Sequence, residues 1–248
     1  MTLGKASLTA FLTGFGPGVG DLRLKAQQMR LSGTVALPTH MLHTSVSAEV
    51  VDSGEITIAD LTKVLAFIKS LPKDSMVTLW QPKNSALRLL SGKTSLNLPT
   101  TDYVRSHKSV AQAMTLLKEA EANLWKSWAG RALTCYGKID AESLYQVKSS
   151  EKIVGKDLPI TCEFDTSEAL LSINVGNKGG AKMSIGIDLE DVDGPSDVCT
   201  SSFGSWLPHA LLTIPQGTVE LYTADDFVAI FRHTTRDHVL LVMDKRGD

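Results

Sequence analysis

The sequence predicts an α+β fold of two similar domains, each made of two β-α-β-β-β repeats. Three observations carry that expectation. The chain repeats itself: "GEITIADLTKVLAFIKSLPKDSMVTLW", from Gly54, aligns with "GKIDAESLYQVKSSEKIVGKDLPITCEF", from Gly137. Gly54 falls on Gly137, Ile56 on Ile139, Leu61 on Leu144 and Val64 on Val147, and the offset still holds at Lys73-Asp74 against Lys156-Asp157. A third copy, "HALLTIPQGTVELYT", echoes "AFIKSLPKDSMVTLW" with Pro215 on Pro72. Second, each copy has one apolar stripe at helical spacing, closed by a Pro/Gly/Asp turn. Third, segments alternating with period two follow each stripe, the signature of half-buried strands.

The first repeat is the most diverged. Its helix spans about 6–15, with Leu8, Phe11, Leu12 and Phe15 on one face, followed by the glycine turn "GFGPGVG" and the strands "DLRLKA", "QMRLSG" and "SVSAEVV". The second has a helix over about 60–71. Asp60 is placed to cap it, because its carboxylate can accept from free first-turn amides. Leu61, Val64, Leu65 and Ile68 form the stripe, and Pro72, with no amide to donate, stops the helix. "MVTLW", "ALRLLSG" and "TSLNLP" follow as strands. The third repeat has its helix over about 140–150, then "ITCEF", "LLSINVG" and "AKMSIGIDL". The fourth has a short helix over about 205–213, with Pro208 in the tolerant first turn, then "TVELYT", "FVAIFRH" and "HVLLVMD". Between the pairs, Val110, Met114, Leu117, Ala120, Leu124 and Trp128 mark an amphipathic helix. The domains expected are therefore 1–100 and 132–248, joined by a helical linker over 101–131.

With 248 residues the chain can bury a substantial core, and 43% hydrophobic with 21% charged residues is ordinary globular composition. A net charge of −2 argues against a polybasic nucleic-acid binder, but not against a basic patch on an acidic body. No apolar run is long enough for a transmembrane helix, and the N-terminus lacks the apolar core of a signal peptide. Cys135, Cys162 and Cys199 are odd in number and widely spaced, so neither a disulfide framework nor a zinc site is expected, and a reducing, cytoplasmic setting fits.

Several stretches resemble chemical motifs. "SGKTS", at 91–95, ends like a phosphate-binding P-loop, but Leu87 stands where that motif needs Gly, and a strand follows where it needs a helix. A hairpin turn at Ser91-Gly92 is the simpler expectation. "GFGPGVGD" follows a helix instead of opening one, so it reads as a helix end and loop. His40 and His43, and the pair in "HTTRDH", lack a third ligand at metal-binding spacing. The acidic run "DLEDVDGPSD" lacks the closing Glu of an EF-hand and reads as a solvated turn. No active site, metal or cofactor is expected, and a repeated scaffold without chemistry suggests a binding or structural role.

The fourfold pattern resembles the sliding clamps of DNA replication, the bacteriophage-type clamp above all, with proliferating cell nuclear antigen as the wider family. "SLTAFLTGFGPGVGDLRLKAQQM", "SAEVVDSGEITIADLTKVLAFIKSL", "GKIDAESLYQV" and "LLTIPQGTVELYT…HVLLVMD" carry the likeness, in pattern and repeat order more than in any invariant signature. The resemblance implies a non-enzymatic processivity factor that closes into a homotrimeric ring, helices lining a pore around double-stranded DNA and sheets outside. It implies a DNA polymerase and a clamp loader ATPase as partners. Pore contacts would come from Lys5, Lys63, Lys69, Lys148, Lys152 and His209 on the four helices. A client pocket would involve Met41 and Leu42, Trp125 and Trp128, and Leu240 and Val242. The linker departs from the family, whose crossing segment is extended. The competing readings are a clamp-fold or β-rich interaction or structural protein that never encircles DNA, and an enzyme with a cryptic Asp/His site in "HTTRDH".

Overall fold

A computed structural model describes residues 1–16, 19, 22–82, 85–99, 106–176 and 179–245, apart from the side chains of 106–108. Part of the expected glycine turn at 14–20 and the start of the linker lie outside the described residues. The chain divides into two compact units, Met1–Val35 with Leu42–Val110, and Ala36–Met41 with Ala111–Asp248.

The first unit runs β1 (Thr2–Gly4), α1 (Lys5–Thr13), β2 (Leu22–Gln27), β3 (Arg30–Ala36), β4 (His40–Ser47), then β5 (Gly54–Ile58), α2 (Leu61–Ser70), β6 (Met76–Trp80), β7 (Leu87–Ser91) and β8 (Thr94–Leu98). This is strand, helix and three strands, twice. One sheet has the order β1-β6-β7-β8, and the other runs β4-β3-β2-β5. The leading strand of each repeat therefore hydrogen-bonds into the sheet of the other: β1 pairs with β6, and β5 with β2. Neither repeat can complete a core alone.

Between these sheets and the two helices lie Leu8, Phe11, Leu12 and Phe15 from the first repeat and Leu61, Val64 and Ile68 from the second, all buried. Burying side chains of this size contributes roughly 1.5–3 kcal/mol each before entropy is counted. Phe15 packs so closely on β3 that a Cβ on Gly33 would come within 2.5 Å of its ring, so the strand needs glycine there. The Gly92-Lys93 pair is the two-residue turn joining β7 to β8. Ser91 pairs with Thr94, and Gly92 takes φ 55°, which a residue without Cβ adopts freely.

The second unit begins with the later part of α3 (Ser106–Ala122) and the short hairpin β9 (Ser127–Trp128) and β10 (Arg131–Ala132). Then come β11 (Cys135–Asp140), α4 (Ala141–Tyr145), a 3₁₀ turn (Gln146–Ser149), α5 (Ser150–Ile153), β12 (Ile160–Asp165), β13 (Leu170–Gly176) and β14 (Lys182–Asp188). β15 (Glu190–Asp193), β16 (Val198–Phe203), α6 (Leu207–Leu211), β17 (Thr218–Thr223), β18 (Val228–His233) and β19 (His238–Met243) complete it. Its sheets run β14-β13-β12-β16 and β15-β11-β17-β18-β19. The exchange of leading strands recurs, β11 pairing with β17 and β16 with β12.

Three expectations are corrected. The helix expected over 140–150 is three short pieces. Ser149 and Ser150 hydroxyls donate back to the carbonyls of Gln146 and Val147, at 2.6 and 2.7 Å, and this local competition tightens the middle into a 3₁₀ turn. The acidic run is not wholly a solvated turn, because Glu190–Asp193 forms an edge strand on β11, with Lys138 at 2.6 Å from Asp191. Cys135 and Cys199 form a disulfide between β11 and β16, with Cα atoms 6.8 Å apart. Strand exchange brings these two distant positions together, which spacing along the chain does not reveal, and it removes the cysteine argument for a reducing compartment.

Candidate functional site

The surfaces to weigh are the exposed helix faces and the seat of α3. On α1 the exposed positions are Ala6, Ser7, Ala10 and Thr13, all small and uncharged. Lys5 stands at the start of this helix, where a cation is disfavoured by the helix dipole. Its ammonium reaches the end of α2 and donates to the Lys69 carbonyl at 3.1 Å and to the Leu71 carbonyl. It thereby satisfies carbonyls that have no partner within their own helix.

The exposed face of α2 carries Thr62, Lys63, Ala66, Lys69 and Ser70. Asp60 caps this helix as expected, accepting from the Lys63 amide at 2.9 Å, and its second oxygen lies 3.1 Å from the Lys63 ammonium. The amide and ammonium together hold the Asp60 carboxyl below the usual carboxylate range. Lys69 is exposed and forms no ion pair among the described residues.

In the second unit, Lys148 on the 3₁₀ turn lies 2.5 Å from Glu151 of α5 and 2.7 Å from Nε2 of His209 on α6. Glu151 is also 3.4 Å from His209 Nε2. The hydrogen bond from Lys148 is the main cause holding the Glu151 carboxyl below its ordinary value. Lys152 is exposed beside this group. The structure thus joins Lys148 to His209 and the Lys5 ammonium to the end of the helix bearing Lys69. The i,i+3 spacing of Lys148 and Glu151 was visible in the sequence as a signal for that pair. Nothing local signals His209 as the third member.

The six residues expected around a client pocket are all buried. Met41, Trp125 and Trp128 fall in one apolar cluster with Ala113, Leu117 and Ala120 of α3 and with Val228, Ile230, Val239 and Leu241 of β18 and β19. Leu240 and Val242 alternate onto the other face of β19, as Leu42 does on β4. The helix expected in the linker ends at Ala122, short of Leu124 and Trp128 in its expected stripe; it covers an apolar sheet face, and these residues present no open groove. At its edge the Trp125 ring stacks on Tyr222, 5.8 Å between centroids, with the Arg232 guanidinium 5.9 Å over the indole. Arg232 in turn pairs with Glu220 at 2.5 Å. Burial and the neighbouring Glu220 push the Tyr222 phenol well above its ordinary value.

His40, His43 and His233 are held by contacts within the fold. His43 is buried against Thr34 at 2.8 Å, and His40 stacks on Trp206. His233 of "HTTRDH" fastens its own turn: Nδ1 accepts from the amides of Thr235 and Arg236, both at 3.2 Å, and Nε2 donates to the Gln216 carbonyl at 3.0 Å. With both ring nitrogens in use, it is poorly placed to serve as a base. Among the described residues no group of three or more His, Cys, Asp or Glu could hold a metal ion. None of the described helices is long and apolar enough to cross a membrane.

No protein-family model matches the chain. No curated protein matches it by sequence. Solved structures do match. The DNA polymerase III beta chain of Streptococcus pneumoniae superposes with a TM-score of 0.72 at 14% identity, covering 100% of this chain and 64% of that one. The proliferating cell nuclear antigen of A. fulgidus, solved with the C-terminal region of FEN-1, gives 0.70 at 11% identity, over 98% of this chain and 96% of that one. That of Thermococcus kodakaraensis gives 0.69 at 12% identity, over 97% of each. The chain spans just under two thirds of the bacterial beta chain and nearly the whole of the archaeal proteins. It therefore has the fold of the DNA sliding clamps.

Proposed function

We propose that this chain is a DNA sliding clamp, a ring of identical protomers that encircles duplex DNA and tethers a replicative polymerase. The observation that carries the reading is the end-to-end match to archaeal proliferating cell nuclear antigen, which includes both pairs of repeats. Three protomers to a ring is the number that the sequence resemblance implies. Closure would join β8 of one protomer to β14 of the next. Both are terminal strands of four-stranded sheets, with a row of backbone groups left to pair. Ser184 and Gly186 are exposed on β14, small enough for close approach.

DNA would be held without sequence preference through Lys63, Lys69, Lys152 and the Lys148–His209 pair, in contacts weakened by salt. Such a ring catalyses nothing itself; a loader ATPase would open it, and its place would be the cytoplasm. Clients would reach the region of Met41, Trp125 and Trp128 by displacing α3 or by binding its rim, where Leu124 is 74% exposed. The decisive experiment is retention on nicked circular DNA with release on linearisation, alongside mass in solution. A chain that is monomeric at every concentration, or that leaves circular and linear DNA equally, overturns the reading.

A second reading is a clamp-fold interaction protein that does not encircle DNA. The engagement of Lys5, Lys63, Lys148 and His209 by groups of their own chain favours it. Partner capture with no topological retention would establish it.

A further inference from the structure

The proposed DNA-facing surface of the second unit contains a carboxylate that a polyanion would avoid. Glu151 is only 16% exposed at its side chain, so it is held and not merely solvated. It pairs with the Lys148 ammonium from the 3₁₀ turn at 2.5 Å, and His209 Nε2 from α6 lies 3.4 Å away. Lys148 and His209 also touch, at 2.7 Å. An ammonium has only donors, so in that contact the imidazole nitrogen accepts. Nearby Asp157 accepts from the Ser205 hydroxyl at 3.2 Å, and Lys156 adds positive field on the Glu151 side. Because all three heads are anchored on packed elements, the carboxylate competes for Lys148 at high effective concentration.

We propose that Glu151 acts as an electrostatic brake, holding the Lys148 ammonium against the protein so that this face grips phosphate only loosely. The inference rests on the DNA reading above and adds a tuning residue to it. The first unit supports it independently. There Asp60 occupies the Lys63 ammonium, and the end of α2 occupies that of Lys5. Each unit thus withdraws cations that its helices would otherwise offer. A loose grip suits a ring retained by topology, since tight phosphate contacts would impede its movement along the duplex.

The test is equilibrium binding of a short fluorescein-labelled duplex of arbitrary sequence across a salt series. Glu151→Gln keeps the shape and removes the charge. It should tighten binding by roughly three- to tenfold at low salt and steepen the plot of log K against log salt by about one contact. Glu151→Asp keeps the charge but shortens its reach to Lys148, and should tighten binding to a smaller degree. If Glu151→Gln is recovered unfolded, tightening by Glu151→Asp sustains the proposal and its absence overturns it. Wild-type binding that Lys63→Glu weakens but a folded Glu151→Gln leaves unchanged defeats the brake alone. Absence of duplex binding by wild type and both variants defeats the brake, while the clamp reading is decided separately by retention on nicked circular DNA.

Discussion

The two carboxylate oxygens of Asp60 hold the Lys63 residue twice, by its backbone amide at 2.9 Å and by its ammonium at 3.1 Å. One contact starts the helix and the other sets the charge its face presents. Asp60→Ala should therefore do two things at once: lower Tm by about 2–4 °C through loss of the cap, and strengthen duplex binding by freeing Lys63. Asp60→Asn should keep most of the Tm and still strengthen binding. The carboxyls of Asp60, Asp165 and Glu151 are all held below their ordinary values in the fold. Their contribution is complete above the unfolded values near ~4 and is lost as pH falls through the lower folded values. Tm measured down an acid series should fall less steeply in Asp60→Asn than in wild type.

The Cys135–Cys199 disulfide closes a loop with a sequence separation of 64, and in the chain-entropy account that stabilises the fold by roughly 4 kcal/mol. Thiol titration of denatured, unreduced protein should find one thiol, Cys162, and three after reduction. In the native protein burial pushes the Cys162 thiol up to about 12, so alkylation near neutral pH should be slow until the chain unfolds. Replacing Cys135 and Cys199 by Ser should lower the urea midpoint with little change in far-ultraviolet circular dichroism.

Trp125 is buried in the cluster beneath α3 and holds Tyr222 and Arg232 at its edge. Trp125→Ala should cost about 3–5 kcal/mol, and Leu117→Ala about 2–5 kcal/mol, both read from urea unfolding. Leu124, exposed and left-handed at φ 56°, should behave oppositely: Leu124→Gly relieves backbone strain worth up to about 1 kcal/mol.

Lys63 and Lys69 are the exposed lysines of α2. Reversing both to Glu should leave Tm within a few degrees of wild type while weakening duplex binding. It should also flatten the salt dependence by about two contacts. Unchanged DNA retention in this double variant would remove α2 from the DNA-facing surface.

Most helices and strands could be read from the chain because their signals are local. Asp60 caps where a carboxylate precedes an apolar stripe, Pro72 ends the helix, and Met76–Trp80 alternates strictly. The strand pair around Gly92 was readable for the same reason. The short strand Thr2–Gly4 and the edge strand Glu190–Asp193 were not, because each is held by a partner far away in the chain. Among candidate functional residues, the lysines could be named from the pattern but their engagement could not. Lys148 reaches His209 across 61 positions of sequence, and Lys5 reaches the end of α2 across 66.

By itself, then, the sequence determined a fourfold repeat of strand, helix and three strands, the apolar face of each helix, and the turn chemistry at SGKTS. Those follow from periods of 3.6 and 2 and from Gly, Pro and Asp acting on near neighbours. Tertiary structure alone decided that repeats exchange their leading strands, that α3 covers an apolar sheet face, that Cys135 meets Cys199, and that Lys148 meets both Glu151 and His209. Each is a pairing between distant segments, selected by packing and by satisfying buried polar groups, and no local period encodes a partner.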